Sequence, residues 1–391
     1  MGYAYVIFGA GRQGTAAIYD LLTYCQAVRV LVVDPDAQAL ERASERLSRI
    51  GVQHEEAVTF ARSAGASDLR AMDVVLSCAP YRFNADLTRL ALEAGVAFCD
   101  LGGNPDVVAR QERIARENGA GLPVVPDCGV SPGLSNILAV HLAREEKADA
   151  IRVRCGGLPI TESAADNPLK YKLVFDPHGL ISEYSGRVPV LREGRLEYVE
   201  ALSCIEPFDG GRLEASPTSN NSPQVVAYLR SLGVRQYDYM TLRYPGHWEQ
   251  ARAWRGRGFL CGNAEADARL AEELAADSTL RYDPERDRDR LILDVLGFAW
   301  VSGAEAGLRR YSGFHMDVTA DRRTGFSAME LTTSWGGTVV AHYLAMHRGT
   351  GRVPTGFATP EQFISTEWVV DEMQRRLKDT PGGRGSHATA S

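Results

Sequence analysis

Lysine is almost absent from this sequence: Lys147, Lys170, Lys172 and Lys378 are the whole supply among 43 basic side chains, and the rest are arginine. Chemistry through a lysine Schiff base therefore has very few candidates. Cysteine offers no framework either. Cys25, Cys78, Cys99, Cys128, Cys155, Cys204 and Cys261 are odd in number, irregularly spaced and without a CxxC pair, which excludes a disulfide scaffold and predicts a reduced, intracellular chain. No unbroken apolar run reaches about 18 residues, so no membrane helix is expected. Met1 leads into a short apolar run with neither a basic flank nor a small-residue cleavage site, from which a cytoplasmic location is expected. Positive charge is outnumbered: 50 acidic side chains leave a net charge of −7, which argues against a nucleic-acid partner. The eight histidines contain no HExxH, and His342 and His347 do not share a helix face well, so no metal is expected.

What is present begins at the N-terminus. Residues 3–8, YAYVIF, are followed by Gly9, Ala10, Gly11, Arg12, Gln13 and Gly14, and then by the helix-like TAAIYDLLTYC. Strand, glycine turn and helix in this order predict a dinucleotide-binding unit. Gly9 permits the tight turn, Gly11 lets backbone approach a pyrophosphate, and Gly14 lets the helix lie close to the strand. A second apolar run, VRVLVV, ends at Asp34, 20 residues beyond Gly14. A carboxylate there accepts from ribose hydroxyls and repels a 2′-phosphate, so NAD is the expected cofactor.

Apolar runs and helical segments then alternate: a helix over 36–49, DVVLSCA at 73–79, a helix over 83–94, VAFCDL at 96–101, a helix near 106–118, and LPVVPD at 122–127. This predicts a doubly wound parallel sheet of the Rossmann kind. Ligands of such sheets bind beyond the carboxyl ends of the strands. Ala79, Pro80, Tyr81, Phe83, Asp100 and Gly102 are thus expected at the cofactor, with Gly103, Asp127 and Cys128 beside them. Asp100 and Asp127 end adjacent strands, and either could hold or deprotonate an ammonium group.

After Pro132-Gly133 the pattern turns strand-rich, with IRVRCGGL, YKLVF, RVPVLREG, RLEYVEAL, LILDVLGFAWVSG and RRYSGFHMDVTA separated by Gly, Pro and Asn. A mixed α+β sheet domain inserted into the nucleotide domain is expected. Helical spacing returns at 334–347 and should dock back on the nucleotide domain. The expected organisation is residues 1–131 and 334–378 for nucleotide binding, 132–333 for substrate binding and oligomerisation, and a disordered tail over 379–391. A large mixed sheet also suggests a homodimer or higher homo-oligomer.

Several segments together resemble the saccharopine reductase and lysine dehydrogenase family: the turn at 9–14, CAPYRFN at 78–84, CDLGGN at 99–104 and PDCGVSPGLSNILA at 126–139. NPLKYKLVF at 167–175, LEASPTSNN at 213–221, LRYPGH at 242–247 and GFATPEQF at 356–363 are similar to the lysine 6-dehydrogenase branch. The resemblance implies a Rossmann domain with an inserted sheet domain. It further implies NAD-dependent oxidation of the side-chain amine of L-lysine to a 6-semialdehyde that cyclises. Related branches instead join an amine and a carbonyl reductively, giving saccharopine or carboxynorspermidine, often with NADPH. A nucleotide-binding redox sensor is the non-enzymatic alternative. Residues 216–221 read Ser-Pro-Thr-Ser-Asn-Asn where the family carries an acid or hydroxyl residue followed by glycine.

The resemblance places Arg243 at the substrate, where a planar donor suits an α-carboxylate. It also places Gly103, Asn104 and Tyr171 there. Strand alternation puts Tyr171 and Lys172 on opposite faces and favours Tyr171. His247, three residues after Tyr244, is the candidate proton shuttle near neutral pH. Cys128 has no matched histidine and is read as a small pocket-lining residue rather than a nucleophile.

Overall fold

The structure is a computed structural model that describes all residues except Met1, 119–120, 161–163, 165–166, Phe175, Asn221, 302–306 and 390–391. The chain divides into two compact units, one of Met1–Ile137 with Glu330–Met373 and one of Leu138–Met329 with Gln374–Ser391.

The first unit is built on β1 (Tyr3–Phe8), β2 (Ala27–Val33), β3 (Val58–Ala61), β4 (Val74–Ser77), β5 (Ala97–Asp100) and β6 (Val124–Val125). All pairs are parallel, in the order β3-β2-β1-β4-β5-β6. The connections include the helices α1 (Arg12–Tyr24), α2 (Ala37–Arg49), α3 (Ala66–Leu69), α4 (Asn84–Ala94) and α5 (Pro105–Asn118). Strands covered on both faces need continuous rather than alternating apolar sequence. Accordingly β4 and β5 are buried throughout, and Val6, Phe8, Leu31, Val75 and Phe98 join Leu92 and Ile114 in one core. This is the order of dinucleotide-binding sheets, with its crossover beside β1.

The helix Ala328–Met346 belongs to this unit from Glu330 onward. Polar bonds anchor it: Tyr5 Oη lies 2.9 Å from His342 Nδ1, and Thr338 Oγ1 donates to Asp20 Oδ2 at 2.5 Å.

The second unit carries a nine-stranded mixed sheet. Its strands are β7 (Ala150–Pro159), β8 (Arg187–Arg192), β9 (Arg195–Glu200), β10 (Glu206–Phe208), β11 (Leu213–Ser216), β12 (Gln236–Arg243), β13 (Asp289–Val301), β14 (Gly307–Thr319) and β15 (Arg384–Thr389). The order is β10-β11-β12-β7-β13-β14-β15, with β8 pairing β12 and β9. Only β7 and β12 run parallel. The helices Pro177–Tyr184, Pro223–Ser231, His247–Gly256 and Ala264–Ala276 lie within the strand-rich region. Tyr171, Leu180, Tyr184, Trp248, Trp254 and Leu270 form a core among them.

Two expectations fail here. YKLVF is not a strand: only Leu173 makes a bridge, to Arg281, and Phe175 lies outside the described residues. Asn167 folds the segment instead, accepting from the Tyr171 N–H at 3.2 Å and donating to the Tyr171 carbonyl at 2.8 Å. Strand alternation therefore does not apply, and Tyr171 and Lys172 are both buried. Part of the tail is also a strand where disorder was expected. Arg384–Thr389 pairs with β14 from Ser312↔Thr389 to Asp317↔Arg384. An edge strand offers unpaired N–H and C=O groups to any extended segment, so small polar residues can be recruited without an apolar pattern.

Candidate functional site

The first cluster lies at the carboxyl ends of the parallel strands. Gly9 has φ +99°, and a Cβ there would meet backbone of Cys78 and Ala79 at 2.9 Å; one on Gly14 would stand 1.9 Å from the Gly9 carbonyl. Both must be glycine for strand, turn and helix to approach. Gly11 differs, because a Cβ there would meet nothing within 4 Å. It is also the N-cap of α1 with no side-chain cap, so the first-turn N–H groups are available to an anion. Gln13 Oε1 is buried beside this turn without a partner. The glycine turn and the available first-turn N–H groups fit a dinucleotide phosphate, whereas the Gln13 oxygen can only accept and suits a hydroxyl.

Asp34, at the end of β2, accepts from the Ala10 N–H at 2.8 Å and from the Asp36 N–H at 2.9 Å. Its carboxylate thus braces the turn and stays partly exposed at the expected ribose position. Arg12 turns aside to Glu330, 2.6 Å away, which Arg46 also meets at 3.0 Å.

After β4, Ala79 and Pro80 lead into a single 3-10 turn, Tyr81–Phe83. The Tyr81 side chain lies against Gly103, where a Cβ would come within 3.0 Å. Phe83 is exposed with the Arg82 guanidinium over its ring. Asn104 uses its side-chain oxygen to cap α5, accepting from the Asp106 and Val107 N–H groups at 3.0 and 3.2 Å.

Asp100 and Asp127 meet at the centre of this cluster. Fully buried, Asp100 accepts from the Gly102 N–H at 2.7 Å, from Gln111 Nε2 at 2.6 Å and from the Asp127 N–H at 3.3 Å. Burial pushes its carboxyl up to about 6, although all three donors oppose the rise. Asp127 sits at φ +60° just beyond β6. Burial first, and then the neighbouring charges of Asp100 and Glu361, push it up to about 7 against the Gly103 N–H that it accepts. Gly102 must lack a side chain, since a Cβ would lie 2.5 Å from Asp127 Oδ1. Cys128 is fully buried, its Sγ donating to the Val125 carbonyl at 3.3 Å, and burial raises its thiol well above the usual range. It is packing, not a nucleophile.

The second cluster lies in the other unit, at the end of β12. Arg243 is only 3% exposed, with its guanidinium 4.8 Å from the Tyr171 ring centre. Nε donates to Tyr184 Oη at 2.9 Å, Nη1 donates to the Leu242 carbonyl at 2.9 Å, and Nη2 lies 3.7 Å from Glu183 Oε2. Glu183 accepts from Thr241 Oγ1 at 2.8 Å, and Thr218 stands 2.7 Å from that hydroxyl. Burial raises the Glu183 carboxyl, opposed by Arg243 and by bonds from Thr241, Thr218 and Asn220. The atypical 216–220 segment is thus the sheath of a buried carboxylate; Asn221 lies outside the described residues. Tyr171 Oη is buried beside this pair with no partner among the described residues, and burial pushes its pKa up to about 12.

His247 departs from expectation. Its Nδ1 lies 2.8 Å from the Leu169 carbonyl, which can only accept, so Nδ1 carries the proton and Nε2 accepts from Tyr184 Oη at 2.8 Å. Burial, and then the Arg243 charge, lower its pKa to about 3. A ring held neutral with both nitrogens bonded orients Tyr184 and Arg243; it does not exchange protons near neutral pH. Lys172 is likewise occupied, donating to the Thr279 carbonyl at 2.9 Å, with Asp287 at 3.8 Å. Glu183, Gln111 and Thr241 escaped sequence reading. Thr241 stands 58 residues from Glu183 and Gln111 11 residues from Asp100, spacings that no motif marks.

Two family profiles match end to end. The profile described as saccharopine dehydrogenase NADP binding domain covers residues 5–125, and the saccharopine dehydrogenase C-terminal domain covers 129–382. The chain is 24% identical over 227 residues to saccharopine dehydrogenase [NADP(+), L-glutamate-forming] of Pyricularia oryzae, covering 54% of this chain and 49% of that protein. It is 24% identical over 269 residues to the Saccharomyces cerevisiae protein of the same name, covering 59% and 57%. The chain therefore matches only about half the length of these curated relatives. The solved apo saccharopine dehydrogenase (L-Glu forming) from Saccharomyces cerevisiae shares the fold, with a TM-score of 0.70 at 17% identity, covering 99% of this chain and 100% of that one. With both profiles matched across nearly its whole length, the chain belongs to the saccharopine dehydrogenase family.

Proposed function

We propose that this protein is an NAD-dependent oxidoreductase that oxidises a C–N bond of an amino acid, with L-lysine, taken to its 6-semialdehyde, as the leading substrate. The observation that carries the proposal is the Asp100–Asp127 pair, two buried carboxyl groups with pKa values raised to about 6 and about 7 at the strand ends of a dinucleotide-type sheet. An ammonium substrate must lose a proton before hydride can leave the adjacent carbon. A carboxyl poised near neutral pH at Asp127 Oδ accepts that proton and can later release it. A nicotinamide dinucleotide at the Gly9–Gly14 turn supplies the hydride acceptor. The amine carbon loses hydride, water adds to the resulting substrate imine, and ammonia departs, leaving the aldehyde. Arg243, oriented by Tyr184 and stacked on Tyr171, is the candidate receptor for the α-carboxylate, with the unbonded Tyr171 hydroxyl as a second donor.

Asp34 supports NAD, because a partly exposed carboxylate at that strand end repels a 2′-phosphate. The names of the matched family profile and relatives favour a second reading, an NADP(H)-linked enzyme that makes or cleaves a secondary amine. Reduction of NAD followed by absorbance, with amino acids and diamines at alkaline pH, separates the two. Signal with lysine and trapping of a cyclic imine support the first. Silence across that panel, with NADPH oxidised when a semialdehyde and an amine are mixed, supports the second.

A further inference from the structure

The edge of the mixed sheet carries a cluster that the chemistry above does not use. His387 on β15 stands opposite Phe314 on β14, and the two rings stack at 4.1 Å and 10°. The same phenyl ring meets His141 edge-on at 5.3 Å. His141 lies in the last turn of the helix Leu134–Arg144, and Glu146 follows just beyond it. Glu146 Oε1 is 2.6 Å from His387 Nε2 and 3.7 Å from His141 Nε2. One ligand atom from each of the three residues lies within 4.8 Å of the other two.

We propose that His141 Nε2, the Glu146 carboxylate and His387 Nε2 bind a divalent transition-metal ion of the zinc type, with water completing the coordination, and that the ion pins β15 to the helix Leu134–Arg144.

Two imidazoles and one carboxylate are a donor set that zinc takes. Ligand atoms about 2.0–2.2 Å from a tetrahedral ion stand roughly 3.3 Å apart, so side-chain shifts of under about 1 Å convert the present contacts into ligation. Neutral imidazoles keep a nitrogen lone pair for the ion, and the single carboxylate offsets one of its two charges. Access and order are also met: the His141 and Glu146 side chains are 9% and 12% exposed and that of His387 is 26% exposed, while Phe314 contacts both rings. The two histidines are far apart in sequence, His387 standing 241 residues beyond Glu146, which is why no motif announces them.

The test uses the full chain, free of any histidine tag and stripped with a chelator. Calorimetric titration with zinc should give one ion per chain, cobalt(II) should show the visible bands of a four-coordinate site, and zinc should raise the melting temperature. H387A and E146Q should each weaken zinc at least about tenfold, the loss that even an outer-shell partner costs, and abolish the cobalt bands. No binding, or an isotherm that H387A and H141A leave unchanged, would overturn the proposal. Should H141A fail to fold, H387A decides alone, since it removes only a side chain from an edge strand held by backbone pairing.

Discussion

Replacing Asp127 by asparagine tests the buried acid pair most directly. Asn has the same shape, tolerates the left-handed φ of +60° and can still accept the Gly103 N–H. In the folded protein the Asp127 carboxyl is raised from 3.8 to about 7. A carboxyl with a raised pKa prefers its neutral form when folded, so its contribution is full below about pH 4 and is lost as pH rises through 7. A shift of about 3 units corresponds to about 4 kcal/mol once both states are ionised, and more than half of this falls between about pH 5 and pH 8. Asp100, raised to about 6, adds a smaller loss of roughly 1 kcal/mol over the same interval. The cofactor-free protein should therefore lose about 4 kcal/mol from these two groups across that range, and D127N only about the Asp100 share. Urea unfolding at a series of pH values reads both slopes. Parallel curves for D127N and the unsubstituted protein would refute the burial argument, and with it the assignment of Asp127 as the group poised to take the substrate proton.

D34A should weaken NAD binding and relax discrimination against NADP; unchanged cofactor kinetics would remove the ribose assignment. R243K keeps the charge but loses the fork that meets Tyr184 and the Leu242 carbonyl, so it should raise KM for the amino acid far more than for the nucleotide, and equal effects would sink the carboxylate role. R243A should in addition destabilise by about 3–5 kcal/mol, because Glu183 is left buried without its cation, and E183Q on that background should recover part of the loss in denaturant unfolding. H247N should lower turnover without moving the inflections of its pH profile near neutrality, since the ring is already neutral above about 3; loss of an inflection would restore the shuttle.

The parallel-sheet unit was legible because each of its signals is local. An apolar run, a glycine turn and a helix are consecutive in sequence, and right-handed crossovers leave few ways to order such strands. The glycines at 9 and 14 are demanded by contacts within one turn of chain or with the adjacent strand. The mixed sheet was legible only as a class. The described helices Pro177–Tyr184, Pro223–Ser231, His247–Gly256 and Ala264–Ala276 went unread between the strand signals, and Asn167 rather than residue alternation shapes the segment around Tyr171. β15 owes its order to the open edge of β14, which its own sequence does not reveal.

The sequence by itself determined the architecture, the position of the nucleotide turn and the choice of Asp100, Asp127 and Arg243 as residues to watch. Tertiary structure alone decided what those residues are. A carboxyl pKa depends on how much water and which charges surround it, so Asp100 becomes a near-neutral acid through burial, and Asp127 through burial and then the neighbouring charges of Asp100 and Glu361. Likewise His247 is neutral, Arg243 is paired with Glu183, and His141, Glu146 and His387 converge, because folding brings together groups whose separation along the chain gives no sign of their contact.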